Sequence, residues 1–154
     1  MKKILNYSEG TIFVLKLRTD GFAVGIVTRI AKRKNGIVMA YFSDKKFPVM
    51  PSLTEIENLT EFPFKWRLGD LFLIDNTWFI LGQKQNFKSE DWPIPKFIRR
   101  DPLVSGRAWE VTYREDDIAT VQSETLTDSS REDLDEDSLK GAGAVEIRLS
   151  KLVR

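Results

Sequence analysis

Three apolar runs divided by two turn dipeptides constrain the fold of this chain more than any other feature. Thr11-Ile12-Phe13-Val14-Leu15-Lys16-Leu17 is rich in β-branched and aromatic residues and leads to Asp20-Gly21. Phe22-Ala23-Val24-Gly25-Ile26-Val27-Thr28-Arg29-Ile30 returns, Lys32-Arg33-Lys34-Asn35-Gly36 turns again, and Ile37-Val38-Met39-Ala40-Tyr41-Phe42 follows. Asp-Gly and Asn-Gly suit the positive φ of tight hairpin turns, Asp20-Gly21 specifically a type I′ turn, so the pattern predicts an antiparallel meander. Gly25 inside the second strand marks a bulge or a close approach.

The rest of the chain reads less uniformly. Pro48 and Pro51 cannot donate to a ladder, so the chain leaves the sheet there. Ser52-Leu53-Thr54-Glu55 has the form of a capping box and predicts a short helix through Leu59. A second hairpin is expected from Leu71-Phe72-Leu73-Ile74, a turn at Asp75-Asn76, and a return through residues 77–82. Prolines extend the chain around Trp92, whose ring reads as a lid over a core. Residues 107–114 alternate cleanly, with Trp109, Val111 and Tyr113 on one face, and residues 118–126 are placed to pair with them. Residues 144–153 fit both a strand and a helix seam. The helix is favoured, from about Ala144, with Ser138 as a candidate cap and Lys151 and Arg154 suited to its C-terminus.

The 154 residues amount to one domain. Cysteine and histidine are both absent. Their absence removes disulfides, cysteine nucleophiles, serine–histidine catalysis and the usual zinc ligands. Carboxylate chemistry needs two placed groups with separated pKa values, but Asp116-Asp117 and Glu132-Asp133 are adjacent pairs that point to opposite faces of a strand. Asp128, Asp133, Asp135 and Asp137 are oxygen-rich without the calcium-loop pattern. Gly141-Ala142-Gly143 lacks the third glycine of a phosphate-binding loop and reads as a tight turn. No catalytic residue, metal or cofactor is therefore expected.

Charge is unevenly spread. The net charge is +1, yet residues 115–137 hold ten acidic residues and one basic one, Arg131, leaving 23 basic and 13 acidic residues elsewhere. Such a run is either a solvated loop folded on a basic body or an interaction surface. Residues 127–137 in particular read as an acidic mobile loop. A competing reading takes Lys32-Arg33-Lys34 and Lys45-Lys46 as phosphate contacts and Phe13, Phe22, Tyr41 and Phe42 as a stacking platform for single-stranded nucleic acid. The acidic run opposes a polyanion. The N-terminus, Met1-Lys2-Lys3-Ile4-Leu5, has no signal-peptide core, and no run is long enough to span a membrane, so a cytoplasmic location is expected.

Glu9-Gly10-Thr11 with Phe13, Asp20-Gly21-Phe22-Ala23-Val24-Gly25 with Val27, Gly69-Asp70, Trp92-Pro93-Ile94-Pro95 with Phe97 and Arg99, and the closing run from Gly141 to Leu149 occur in that order. In these residues the chain resembles the immunity protein 26 family, small bacterial proteins encoded beside polymorphic toxins. The resemblance implies a non-catalytic protein that binds and blocks a cognate toxin domain from a neighbouring gene. It carries over no catalytic motif and no interface residue. Toxins of such systems are often nucleases or other enzymes with basic or polar clefts. On charge grounds the expected contact region is residues 115–137. Its carboxylates are Asp116, Asp117, Glu132, Asp133, Asp135, Glu136 and Asp137, with Trp92 or Trp109 as an aromatic anchor. Both tryptophans equally suit core packing.

The expectation is thus a single α+β domain over residues 1–154. It has a twisted antiparallel sheet, open or partly closed into a barrel, with a short mid-chain helix and a C-terminal helix. The expected function is toxin neutralisation by stoichiometric binding, and the alternative is a small nucleic-acid-binding barrel.

Overall fold

The computed structural model describes residues 5–32 and 36–154. The N-terminal lysines and Arg33, Lys34 and Asn35 of the basic turn lie outside the described residues. The meander forms as the turn signals predict: β1 (Thr11–Lys16), β2 (Phe22–Ile30) and β3 (Ile37–Phe42) pair antiparallel in sequence. The first turn is not type I′. Residues 17–21 connect the strands, Leu17 donates to the Gly21 carbonyl at 3.0 Å, and only Gly21 takes positive φ, at 88°. Asp20 stays out of the left-handed region, which costs non-glycine residues more.

Past β3 the chain forms α1 (Leu53–Glu57), β4 (Phe64–Gly69), α2 (Leu71–Ile74) and β5 (Phe79–Gln83). Ser52 and Glu55 complete the predicted capping box on α1. The predicted second hairpin does not form, because Leu71-Phe72-Leu73-Ile74 is a helical turn. The Asp70 carbonyl accepts from the Leu73 and Ile74 amides, and Asn76 closes the turn at φ 63°. Periodicity cannot separate a four-residue apolar strand from such a turn. β5 pairs instead with β1, at Thr11↔Gln83 to Val14↔Phe79.

The final third forms β6 (Phe97–Arg100), β7 (Arg107–Arg114), β8 (Asp117–Asp128), β9 (Asp135–Glu136), β10 (Leu139–Lys140) and α3 (Ala142–Leu152). The ambiguous C-terminus is therefore helical, as favoured. Its cap is Gly141, and the Ser138 hydroxyl accepts from Lys140 instead.

Two sheets result, in the orders β10-β4-β3-β2-β1-β5 and β8-β7-β6-β9, and neither closes into a barrel. Both are antiparallel except for the two-residue strands β9 and β10, which add in parallel to β6 and β4. The six-stranded sheet is the middle layer. Phe13, Leu15, Val27, Val38, Ala40, Phe42 and Trp66 face α3 and Trp78. Ile12, Val14, Val24, Ile26, Met39 and Tyr41 face α1 and the four-stranded sheet, through Phe97, Val111, Tyr113 and Ile118. A sheet covered on both faces explains why β1, β2 and β3 read as continuous apolar runs rather than alternating ones.

The break in β2 register falls at Thr28, between Val27 and Arg29, and not at Gly25. Gly25 serves close approach. A Cβ there would lie 2.5 Å from Phe13 Cζ and 2.9 Å from a Phe42 ring carbon. Phe13 in turn stacks on Trp78, with ring centroids 5.2 Å apart. The proposed stacking platform for nucleic acid is consequently unusable: Phe13, Tyr41 and Phe42 are core residues, and Phe22 packs against the core.

Candidate functional site

The acidic run lies on the four-stranded sheet. One face of that sheet sits on the core through Phe97, Val111 and Tyr113. Arg67 fastens the two sheets together. It is the one buried cation on β4, its Nε donates to the Ile118 carbonyl at 2.9 Å, and its Nη1 donates to the Tyr113 hydroxyl at 2.8 Å. Its guanidinium also lies 3.9 Å from the Tyr113 ring centroid and 3.8 Å from Asp137. The Tyr113 hydroxyl donates to Asp137, and its pKa is pushed up, first by burial and then by that bond.

The segment from β8 to β9 is tied to the sheet by two arginines. Arg100 donates to the Ser129 and Arg131 carbonyls and pairs with Glu136. Arg131 reaches Glu110 at 2.9 Å and Asp133 at 2.7 Å. These hydrogen bonds hold the Glu110 and Asp133 carboxyls below their ordinary range. At the other end Asp116 pairs with Arg114 and Lys32, Arg114 contributing more to the lowering of its carboxyl, while the Thr120 hydroxyl donates to Asp117. Glu115 pairs with the buried Arg29, whose guanidinium also caps the Ser89 and Trp92 carbonyls.

The predicted carboxylates therefore separate. Asp116 and Asp117 lie at one end of β8, and Asp137 is held, half-buried, against Arg67. Glu132, Asp133 and Asp135 come together on the rim of a cleft of about 230 Å³, also lined by Pro63, Lys65, Pro95 and Lys96. Among the described residues Glu132 and Asp135 make no ion pair. A second cleft of about 370 Å³ shares Lys65 and is lined by Tyr41, Phe62, Lys84 and Trp92. Trp92 packs edge-on to Tyr41 and Phe62 and stacks near Phe87, as the expected lid. Trp109 is half-buried on the other part of the sheet, with the guanidiniums of Arg99 and Arg107 at 5.2 and 5.5 Å from its ring. The arginines that organise the region went unread in the sequence. A clue existed in Arg67, one of two cations, with Lys65, in an aromatic strand.

No group of three or more carboxylates converges as cation ligands would, among the described residues. Among them, too, no helix is long and apolar enough to cross a membrane. The arrangement offers charge, exposed backbone and aromatic surface, which are the means of binding.

Residues 8–109 match the family described as immunity protein 26. The chain belongs to the immunity protein 26 family. The match spans the six-stranded sheet up to β5, together with β6 and the start of β7. β8 and the acidic segment follow it. No curated protein and no solved structure is matched. Membership in an immunity protein family points to a non-enzymatic role.

Proposed function

We propose that this immunity protein 26 member neutralises a cognate toxin domain, encoded beside it, by stoichiometric non-covalent binding in the cytoplasm. Family membership carries the reading. One cleft rim supports the choice of surface, because it gathers Glu132, Asp133 and Asp135 of the acidic run. Six of the ten carboxylates in that run pair with arginine. Of the other four, Asp117, Asp128, Glu132 and Asp135, the exposed Glu132 and Asp135 lie together on the rim of one cleft and are the pair best placed for a partner. They suit the basic cleft of a toxin enzyme, and opposite potentials speed encounter. Trp109 is the better aromatic anchor, since Trp92 is held among three rings.

The test is to purify the chain with the inactivated toxin domain from the adjacent gene. A 1:1 complex is expected, and absence of binding would refute the reading. Reversing Glu132 and Asp135 together to lysine should lower the association rate constant roughly tenfold at low salt and less at high salt. An unchanged rate would remove the acidic rim from the interface.

A further inference from the structure

β8 is a free sheet edge of unusual length. It runs twelve residues, Asp117–Asp128, and is the terminal strand of its sheet. The other terminal strands are β9 and β10 with two residues each and β5 with five. Residues from Val121 to Thr125, together with Leu126, are exposed on both sides of the strand. From Arg107↔Asp128 to Thr112↔Ser123 the pairing with β7 is regular, and both register breaks lie at the far end. Alternate residues along such an edge turn their N–H and C=O outward, away from β7.

Soluble proteins guard long edges with lysine, proline, bulges or a covering segment. β8 contains no lysine and no proline, its regular half has no bulge, and among the described residues no strand covers it. Its residues Val121, Thr125 and Thr127 are good strand formers. An apolar cluster lies at the same end of the sheet: Leu103 is 91%, Leu126 66% and Val104 42% exposed. The Ser129 amide on the Gly106 carbonyl and the Arg107 amide on the Val104 carbonyl hold that turn beside the end of β8. Trp109 pairs across from Leu126 in the ladder.

The charge on β8 selects its occupant. Asp117, Glu124 and Asp128 are its only charged residues, and Arg99 answers Glu124 alone, at 2.7 Å. A second copy of the chain would set this acidic strand against itself, which is unfavourable for cross-strand neighbours. A basic strand meets backbone donors, backbone acceptors and carboxylates together.

We propose that the toxin adds an extended, lysine- or arginine-bearing segment to the free edge of β8, extending the four-stranded sheet, with an apolar side chain seated on Leu103, Val104, Leu126 and Trp109. This rests on the reading that the chain binds a toxin, and it names the mode of that binding.

The test is amide hydrogen exchange on the chain alone and with the inactivated toxin domain from the adjacent gene. Alternate amides between residues 120 and 127 should slow by at least about a hundredfold in the complex. Of Thr125→Pro and Leu126→Pro, one removes an N–H aimed at β7 and the other an outward N–H. The variant that keeps the wild-type melting temperature should weaken binding roughly tenfold or more, as loss of one or two backbone hydrogen bonds requires. A complex that leaves these amides unprotected overturns strand addition while the immunity reading stands. Protection that appears without toxin and grows with protein concentration assigns the edge to self-association and overturns the proposal. Failure to form any complex overturns both.

Discussion

At the residue scale, two positions show how little slack the core has. Gly25 lies where the Phe13 and Phe42 rings meet, 5.7 Å apart and edge to face. Gly25→Ala should destabilise the protein by about 1–3 kcal/mol, because the added methyl forces those rings off their packing. Urea denaturation measures it, and an unchanged midpoint would show that the rings can yield. Trp78 is fully buried, stacks on Phe13, and donates from its indole nitrogen to Glu146 at 3.0 Å. Trp78→Phe keeps a ring but removes the donor, leaving the nearly buried Glu146 carboxylate with Arg18 and a lost partner, at a cost of about 1–3 kcal/mol. Arg67 is a third such position. Arg67→Ala removes the link that Asp137, Tyr113 and the Ile118 carbonyl share, and about 3–5 kcal/mol is expected, in the range for breaking a buried pair. None of these costs is visible in the residues alone, because each depends on a partner 12 to 70 positions away in the chain.

At the scale of elements, local signals succeed where the cause is local. The capping box on α1 is complete within four residues, and the Ser52 hydroxyl accepts the Glu55 amide at 3.2 Å. Ser52→Ala should cost about 1 kcal/mol, measured by thermal denaturation. The segment after β8 is different. Its composition reads as solvated, yet its backbone carbonyls at Ser129 and Arg131 accept from Arg100, which stands on β6. Arg100→Ala should speed amide exchange across residues 129–134 while leaving the six-stranded sheet unchanged. Equal exchange in both proteins would show that Arg100 does not hold the segment. α2 shows the reverse failure: its four apolar residues have a strand's pattern, but the return strand β5 pairs with β1 instead. The Asp70 carbonyl accepts from both Leu73 and Ile74 and closes the run into a helical turn.

At the scale of the molecule, the ion pairs of the four-stranded sheet predict an acid weakness. Glu110, Glu124, Asp116 and Asp133 all titrate below the ordinary values of 3.8 for aspartate and 4.5 for glutamate, each chiefly through a hydrogen bond from an arginine. A carboxyl with a lowered folded pKa contributes stability above its unfolded value, and that contribution is lost as pH falls through the folded value. The melting temperature should hold above about pH 5 and fall progressively below about pH 4.5. Each pair is at least partly open to solvent and individually weak, so the effect is their sum and shrinks in high salt. A melting temperature flat to about pH 3 would show that these pairs contribute nothing.

The sequence by itself determined the meander, the α1 cap, the pairing of residues 107–114 with the next run, the exclusion of histidine and cysteine chemistry, and the family. These follow from turn chemistry, β-branched composition and residue types, all of which act within a few positions. Only the tertiary structure decided that the sheet is covered on both faces, that β5 joins β1, and that α2 is not a strand. It also decided which acidic residues are answered by arginine and which remain free. The physical reason is that burial and charge pairing depend on what arrives from distant parts of the chain. Asp133, Asp135 and Asp137 look alike in the sequence, yet Arg131 neutralises the first, nothing described pairs with the second, and Arg67 holds the third.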